Sequence, residues 1–136
     1  MSECIFCKIV KKEIPSEIIY EDDVALAVLD VHPVAPGHTM ILPKIHAETI
    51  LGVSNADLGP LFSAVKKVTG WLQDALQPDG FTIGINHGKW AGQAIDHLHI
   101  HIIPRWKTDG GSSIHGIVSN PSQETLTEMK NKIIKE

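Results

Sequence analysis

The sequence of 136 residues has no apolar run that approaches the length of a membrane-spanning helix, which needs about 20 residues. Its longest apolar run is only Val24–Leu29, aromatic residues make up 5% of the chain, and there is no repeat or low-complexity tract. The formal net charge of −4 does not favour non-specific binding to polyanions. We therefore expect neither a membrane nor a nucleic acid among the partners of this protein.

Cysteine is also scarce, and the two that are present, Cys4 and Cys7, form a C-x-x-C motif. The first residues, MSECIFCKIV, lack the basic-then-apolar layout of a signal peptide, so we expect a cytoplasmic protein. In a reducing compartment a C-x-x-C pair is more often metal-binding or redox-active than a structural disulfide.

The hydrophobic fraction of 43% is enough for the core of a single domain spanning residues 1–136. Apolar residues at helical spacing predict one long helix from Leu58 to Leu76, with Ser54 as its cap and a stop at Pro78. Five segments have strand character, namely Glu17–Glu21, Val24–Asp30, His38–Leu42, Phe81–Asn86 and His97–Ile103. This order predicts an α+β fold with a mainly antiparallel five-stranded sheet, the long helix and a C-terminal helix.

The C-terminal helix is predicted to follow a polar stretch that begins at Lys107. Asn120 suits the cap of this helix, because Pro121 then occupies the first helical position. Its apolar residues are expected to form a buried face, and they are Leu126, Met129, Ile133 and Ile134.

Three of the eight histidines alternate with aliphatic residues in the segment HLHIHII, residues 97–103. Side chains alternate between the two faces of a strand, so His97, His99 and His101 are predicted to share one face. Leu98 and Ile100 would then pack inward on the other face. Such a row of imidazoles favours one of two chemistries: a catalytic metal with an open coordination position, or an unmetallated imidazole that attacks phosphorus.

The two thiolates of the C-x-x-C motif would need two further ligands to complete a closed zinc site. His46 and His97 would supply them, and His99 and His101 would then be left for chemistry. From spacing alone, this zinc site and a C-x-x-C pair that binds no metal are equally well supported.

Beyond the histidine row, the sequence resembles the histidine-triad (HIT) family from about residue 4 to 106. The resemblance depends on three blocks in order, CIFCKIVKKEIPSEIIYEDD, PGHTMILPKIH and AGQAIDHLHIHIIPR. It implies a single HIT domain with an N-terminal zinc-binding segment at about residues 1–12 and a variable tail at about 107–136. It also implies a homodimer that hydrolyses or transfers nucleotides at the α-phosphate of purine nucleotide conjugates, either phosphoramidates or dinucleoside polyphosphates.

The resemblance assigns the catalytic roles to three histidines. His99 would be the nucleophile and would form a nucleotidyl-histidine intermediate, His101 would contact the phosphate, and His38 would take part in proton relay. Cys4, Cys7, His46 and His97 would bind a structural Zn²⁺.

The remaining positions carried over from the family would bind the nucleotide. Asp30 would accept hydrogen bonds from the ribose hydroxyls, since a carboxylate offers two acceptor oxygens. The base would lie against Ile5, Phe6 and Ile9, and the phosphate-contacting positions would be Asn86, Gly92 and Gln93.

One departure from the family pattern concerns the leaving group. Many members have a serine after the Gln of A-G-Q, where this chain has Ala94, which has no side-chain donor. Asp96 is also unusual, and its charge has no evident physical reason.

Two alternatives to the covalent mechanism follow from the same residues. All three histidines of the row would be zinc ligands in a metallohydrolase, which would give Cys4 and Cys7 no role. A nucleotide-binding scaffold or regulatory protein would use the same pocket with only incidental hydrolysis.

Overall fold

A computed structural model describes residues 3–134 of the chain. The predicted N-terminal segment 1–12 and tail 107–136 extend at their outer ends beyond these residues. The strands are β1 (Ile18–Glu21), β2 (Ala25–Leu29), β3 (Thr39–Pro43), β4 (Gly80–Gly84) and β5 (Ile100–Arg105), and the helices are α1 (Ile5–Val10), α2 (Asn55–Leu76) and α3 (Leu126–Ile133).

The five strands form one sheet in the order β1-β2-β3-β5-β4, with every neighbouring pair antiparallel. The predicted α+β fold with a long helix and a C-terminal helix is therefore confirmed. In the register of the sheet, His101 of β5 lies opposite Met40 of β3 and opposite Gly84 of β4. This central position puts His101 in the middle of one face of the sheet.

The long helix α2 covers the other face. Its N-terminus is capped as predicted, because the Ser54 side chain accepts a hydrogen bond from the backbone N–H of Asp57. Its stripe at helical spacing packs against the inward residues of β5, and the core is formed by Leu61, Ala64, Val65, Val68 and Leu72 with Leu98, Ile100 and Ile102. Burial of this stripe is the main hydrophobic contribution to the fold.

A second, smaller cluster lies on the opposite face, where α1 packs on the sheet. Phe6 of α1 belongs to one buried cluster with Leu26 and Val28 of β2 and Met40 and Leu42 of β3. The short helix α1 is therefore fixed beside the centre of the sheet, next to the predicted site.

Two predicted elements are corrected by the structure. The strand expected at His97–Ile103 begins only at Ile100, because the backbone at His97 bends and its N–H bonds the carbonyl of Ile95. The strand expected at Phe81–Asn86 ends at Gly84, which leaves Asn86 in a loop.

The C-terminal helix begins later than predicted. Its cap is Thr125, which forms a capping box with Glu128, and Asn120 and Pro121 precede the helix. The expected buried face is also wrong, since Leu126 is 89% exposed and Ile133 is 72% exposed. The apolar stripe of α3 is real, but no other element of the described chain covers it.

Candidate active site

Most of the predicted site residues line one cleft of about 500 Å³ on the sheet face opposite α2. Those that line it are Ile5, Phe6, Ile9, Asp30, Asn86, Gly92, His99 and His101. The cleft wall also includes Val28 and Met40, whose side chains share this face of the sheet, and Pro15. Its composition is that of a small-molecule site, apolar with a few convergent polar groups.

His99 lies at the inner side of this cleft and is 7% exposed. Its Nδ1 lies 2.8 Å from the carbonyl oxygen of His97, which can only accept, so Nδ1 carries the proton and donates it. In the neutral ring the other nitrogen, Nε2, therefore has a free lone pair. Phe6 packs edge-on against the ring at 5.0 Å between centroids and fixes its plane.

His38 and His101 form a hydrogen-bonded pair whose tautomers are also determined by the backbone. The N–H of Val34 donates to Nδ1 of His38, so neutral His38 has its proton on Nε2. That Nε2–H lies 2.9 Å from Nδ1 of His101 and donates to it. The proton of neutral His101 is consequently on its Nε2.

Asp30 completes this group at the end of β2. One oxygen of its carboxylate accepts from the backbone N–H of His32, and the other lies 3.4 Å from Nε2 of His38. Burial lowers the pKa of His38, and the negative charge of Asp30 offsets part of this effect. Burial, followed by repulsion from His99 and His38, lowers the pKa of His101 to about 4, so His101 is neutral at neutral pH.

A separate cluster joins the N-terminal segment to the sheet. Cys4 Sγ lies 3.4 Å from Nδ1 of His97, and Cys7 Sγ lies 3.6 Å from the same nitrogen and 3.3 Å from Nδ1 of His46. Zinc bonds of about 2.3 Å to sulfur and about 2.05 Å to nitrogen at tetrahedral angles give an S···N distance of about 3.6 Å. The four donor atoms therefore have the spacing and the chemistry of a closed Cys2His2 zinc site.

The surroundings of the cluster support the same assignment. The Nε2–H of His97 donates to the carbonyl of Pro43 at 2.9 Å, which leaves Nδ1 unprotonated and directed at the two sulfurs. Cys4 also caps α1, with its Sγ accepting from the N–H of Cys7 at 3.4 Å. Burial raises the pKa of the Cys7 thiol, an effect that a bound metal cation would oppose.

The three histidines of the row do not form one ligand set. The Nδ1 of His97 faces the cysteines, Nδ1 of His99 is bonded to a carbonyl, and Nδ1 of His101 accepts from His38. Asp30, His38 and His101 also lie close together, but the 2.9 Å between the two nitrogens is the distance of a hydrogen bond rather than of two metal ligands, about 3.3 Å apart in a tetrahedral site.

Gln93 has a position that its motif did not predict. Its buried side-chain amide donates to the carbonyls of Glu48 and Ile95 and accepts from the N–H of Gly88. The side chain therefore closes the loop beside the cleft, and its polar atoms are all engaged there. Gly92 of the same loop has φ +104°, which glycine adopts readily, and it lies against Asn86.

Sequence reasoning missed two features of the site. His32, which no motif singled out, lines the cleft, and its backbone N–H donates to the carboxylate of Asp30. Arg105 donates to both carboxylate oxygens of Asp109 and to Thr82, so its charge is paired within the chain. The spacing of Arg105 and Asp109 by four residues was the available signal for this pairing.

The comparison with protein families gives one match, to the model of the HIT domain, over residues 11–108. Among curated relatives, an adenosine 5'-monophosphoramidase of Saccharomyces cerevisiae is 38% identical over 133 residues, which is 98% of this chain and 79% of that protein.

Solved structures show the same architecture. A member of the HIT family from Bacillus subtilis superposes with a TM-score of 0.85 at 35% identity, covering 96% of this chain and 92% of the other. A zinc-bound histidine triad family protein from Mycobacterium smegmatis has a TM-score of 0.76 at 33% identity, covering 82% of this chain and 81% of the other. Within residues 3–134 no helix is both long and apolar enough to traverse a bilayer.

Proposed function

This chain belongs to the HIT family, and from that premise we propose that it hydrolyses purine nucleotide conjugates at the α-phosphate through a covalent intermediate on His99. The observation that carries the proposal is the hydrogen bond from Nδ1 of His99 to the carbonyl of His97. It leaves the lone pair of Nε2 available in the cleft, which is the requirement for nucleophilic attack.

In the first step, Nε2 of His99 forms a bond to the α-phosphorus, and the bond from phosphorus to the leaving group breaks. The imidazole then carries a positive charge, which the carbonyl of His97 stabilises through Nδ1–H. In the second step, water attacks the same phosphorus and the N–P bond breaks. The leaving group departs in the first step with the bonding electron pair and takes up a proton from solvent, and the water of the second step returns one proton to solvent. The products are a nucleoside monophosphate and the protonated leaving group.

His101 acts on the phosphate in both steps. Because Nδ1 of His101 accepts the hydrogen bond from His38, the proton of His101 is on Nε2. This Nε2–H donates a hydrogen bond to a phosphate oxygen or to the leaving atom and stabilises the negative charge there. Asp30 holds His38 in the orientation that fixes this tautomer, and its carboxylate is also available to the ribose hydroxyls.

The nucleoside occupies the apolar part of the cleft, with the base between Ile5, Phe6 and Ile9. The volume of about 500 Å³ is within the range for small-molecule sites. Asn86 and the backbone of Gly92 contact the phosphate, whereas Gln93 contributes by holding their loop.

We propose that Cys4, Cys7, His46 and His97 bind a structural Zn²⁺. All four donors are protein side chains, so no coordination position is left for substrate. The yeast relative and the zinc-bound mycobacterial structure support the activity and the metal respectively.

The chain is also proposed to form a homodimer. Strand β4 is at the edge of the sheet, and Ile83 on it is 39% exposed. Light scattering coupled to gel filtration should give twice the mass of one chain, and Ile83→Lys should shift the measured mass toward that of one chain. A monomer at micromolar concentration would contradict this part of the proposal.

The catalytic proposal is tested by incubation with an adenosine phosphoramidate labelled in the AMP portion, followed by rapid acid-free denaturation and intact mass spectrometry. We expect one AMP on His99 and a loss of turnover by several orders of magnitude in His99→Ala, with no change in the matched surface variant His115→Ala. Tight AMP binding with turnover equal in the wild type and in His99→Ala would instead indicate a binding or scaffold protein.

A further inference from the structure

Trp90 is unusual because its indole is 97% exposed, although tryptophan is on average one of the more buried residues. It lies at the outer end of a loop, in a single 3₁₀ turn at Lys89–Ala91. No side chain of residues 3–134 covers it. An exposed indole offers a flat aromatic surface on which a planar group can stack.

The loop that carries Trp90 is held in place. Glycines with positive φ, Gly88 and Gly92, stand at its two ends. The buried amide of Gln93 joins these ends to the body of the protein, since it accepts from the N–H of Gly88 at 2.8 Å and donates to the carbonyl of Glu48 at 2.7 Å. The indole is therefore presented on an ordered loop, which lowers the entropy cost of binding to it.

This loop borders the candidate active site. Gly92, two residues from Trp90, and Asn86 both line the cleft, and two residues of chain place the Cα of Trp90 within about 7 Å of that of Gly92. Trp90 itself is not among the residues that form the cleft wall. It therefore lies at the rim, outside the space that the nucleoside occupies.

The direction of the leaving group makes the rim relevant. In an in-line displacement the leaving group departs on the side opposite to the attacking nitrogen. His99 attacks from the buried side of the cleft, because it is 7% exposed, so the leaving group must point outward toward the rim. A small leaving group would not reach the loop, whereas one with several phosphates and a second nucleoside would.

Lys89 gives the rim a charge that suits such a group. Its Nζ lies 5.8 Å from the centre of the Trp90 ring, so a cation and an exposed aromatic surface occur side by side. Phosphates bind to ammonium groups, and bases stack on aromatic rings with little dependence on their identity.

We propose that Trp90 and Lys89 determine specificity for the leaving group, and that they favour conjugates whose leaving group is a nucleoside polyphosphate. Trp90 stacks the second base and Lys89 contacts the intervening phosphates. This inference rests on the proposed function, and it selects dinucleoside polyphosphates over simple phosphoramidates as the better substrates. It also gives this chain a way to hold the leaving group without a donor at Ala94.

The test compares two substrates in the full-length protein, diadenosine tetraphosphate and adenosine 5'-phosphoramidate. Trp90→Ala should lower kcat/KM for the tetraphosphate by about 5- to 150-fold, the effect of losing one base–aromatic stack. It should leave kcat/KM for the phosphoramidate within about two-fold. Trp90→Phe should restore most of the tetraphosphate activity, and Lys89→Gln should lower it selectively as well.

Leu51→Ala is the matched control, because Leu51 is 83% exposed on a short 3₁₀ turn and does not line the cleft. An unchanged tetraphosphate activity in Trp90→Ala would overturn the inference, as would an equal loss with both substrates. Calorimetric titration of ATP into protein saturated with AMP tests the leaving-group site separately from the proposed activity, because it needs no turnover. Weaker ATP binding by Trp90→Ala than by the wild type supports a leaving-group site at Trp90 and Lys89. Equal ATP binding by the variant, or no ATP binding beside AMP in the wild type, rejects this site.

Discussion

If the cluster of Cys4, Cys7, His46 and His97 binds the zinc we propose, removal of that zinc should destabilise the protein by an amount that follows from the loop it closes. Cys7 and His46 are 39 residues apart in sequence, and their side chains meet only in this cluster. A cross-link that closes a loop of that length lowers the entropy of the unfolded chain, and this loss corresponds to about 4 kcal/mol of stability at 25 °C. For a chain of this size each kcal/mol corresponds to about 4 °C, so we expect the Tm to fall by about 15 °C.

The assay is thermal unfolding by circular dichroism of protein as purified, after dialysis against a chelator, and after readdition of Zn²⁺, with metal content measured in each sample. The dialysed protein and the variant Cys4→Ser should unfold at similar, lower temperatures, and zinc should restore only the dialysed wild type. His115→Gln, which changes an exposed histidine outside the cluster, should behave as wild type. A verified loss of metal with a change in Tm below about 2 °C would refute the reasoning.

Three further outcomes follow from particular contacts. Leu98→Ala should cost about 2–5 kcal/mol in urea unfolding, because Leu98 is 1% exposed beneath α2, and an effect near that of exposed Leu51→Ala would contradict its place in the core. Thr125→Ala removes the cap of α3, so hydrogen exchange should accelerate at Leu126–Ile133 while the Tm is unchanged; a lower Tm would show that α3 supports the core. Since burial lowers the pKa of His101 to about 4, the unfolded state binds more protons between that value and about pH 6.5, and the free energy of unfolding should rise with pH across this window. His101→Gln should reduce this slope, and an equal slope in the variant would disprove the shift.

The order of elements was predictable because local patterns agreed with the packing they produce. The stripe from Leu61 to Leu72 has helical spacing and is buried as such, and Ser54 caps α2 as its sequence indicates. The C-terminal helix was misplaced because both Asn120 and Thr125 are suitable caps, and only the contact between Thr125 and Glu128 distinguishes them. The exposure of its apolar residues could not be predicted, since spacing shows that a stripe exists but not what covers it.

The composition of the cleft was predictable from motifs, whereas its proton arrangement was not. The pairing of His38 with His101 spans 63 residues, and their tautomers follow from a single backbone N–H at Val34. The role of Gln93 in closing the loop was unpredictable for the same reason, because its partner Glu48 is 45 residues away in sequence. Such contacts depend on the sheet register, which no local pattern specifies.

His97 connects the cluster of Cys4, Cys7 and His46 to the cleft that contains His99. Its Nδ1 faces the two sulfurs, its Nε2–H donates to the carbonyl of Pro43 in β3, and its own carbonyl accepts a hydrogen bond from Nδ1–H of His99, the proposed nucleophile. The fraction of protein that holds zinc and the hydrolytic activity should therefore decrease in proportion as chelator is added. Partly loaded samples would be mixtures of fully competent and incompetent molecules rather than a uniform population of slower ones.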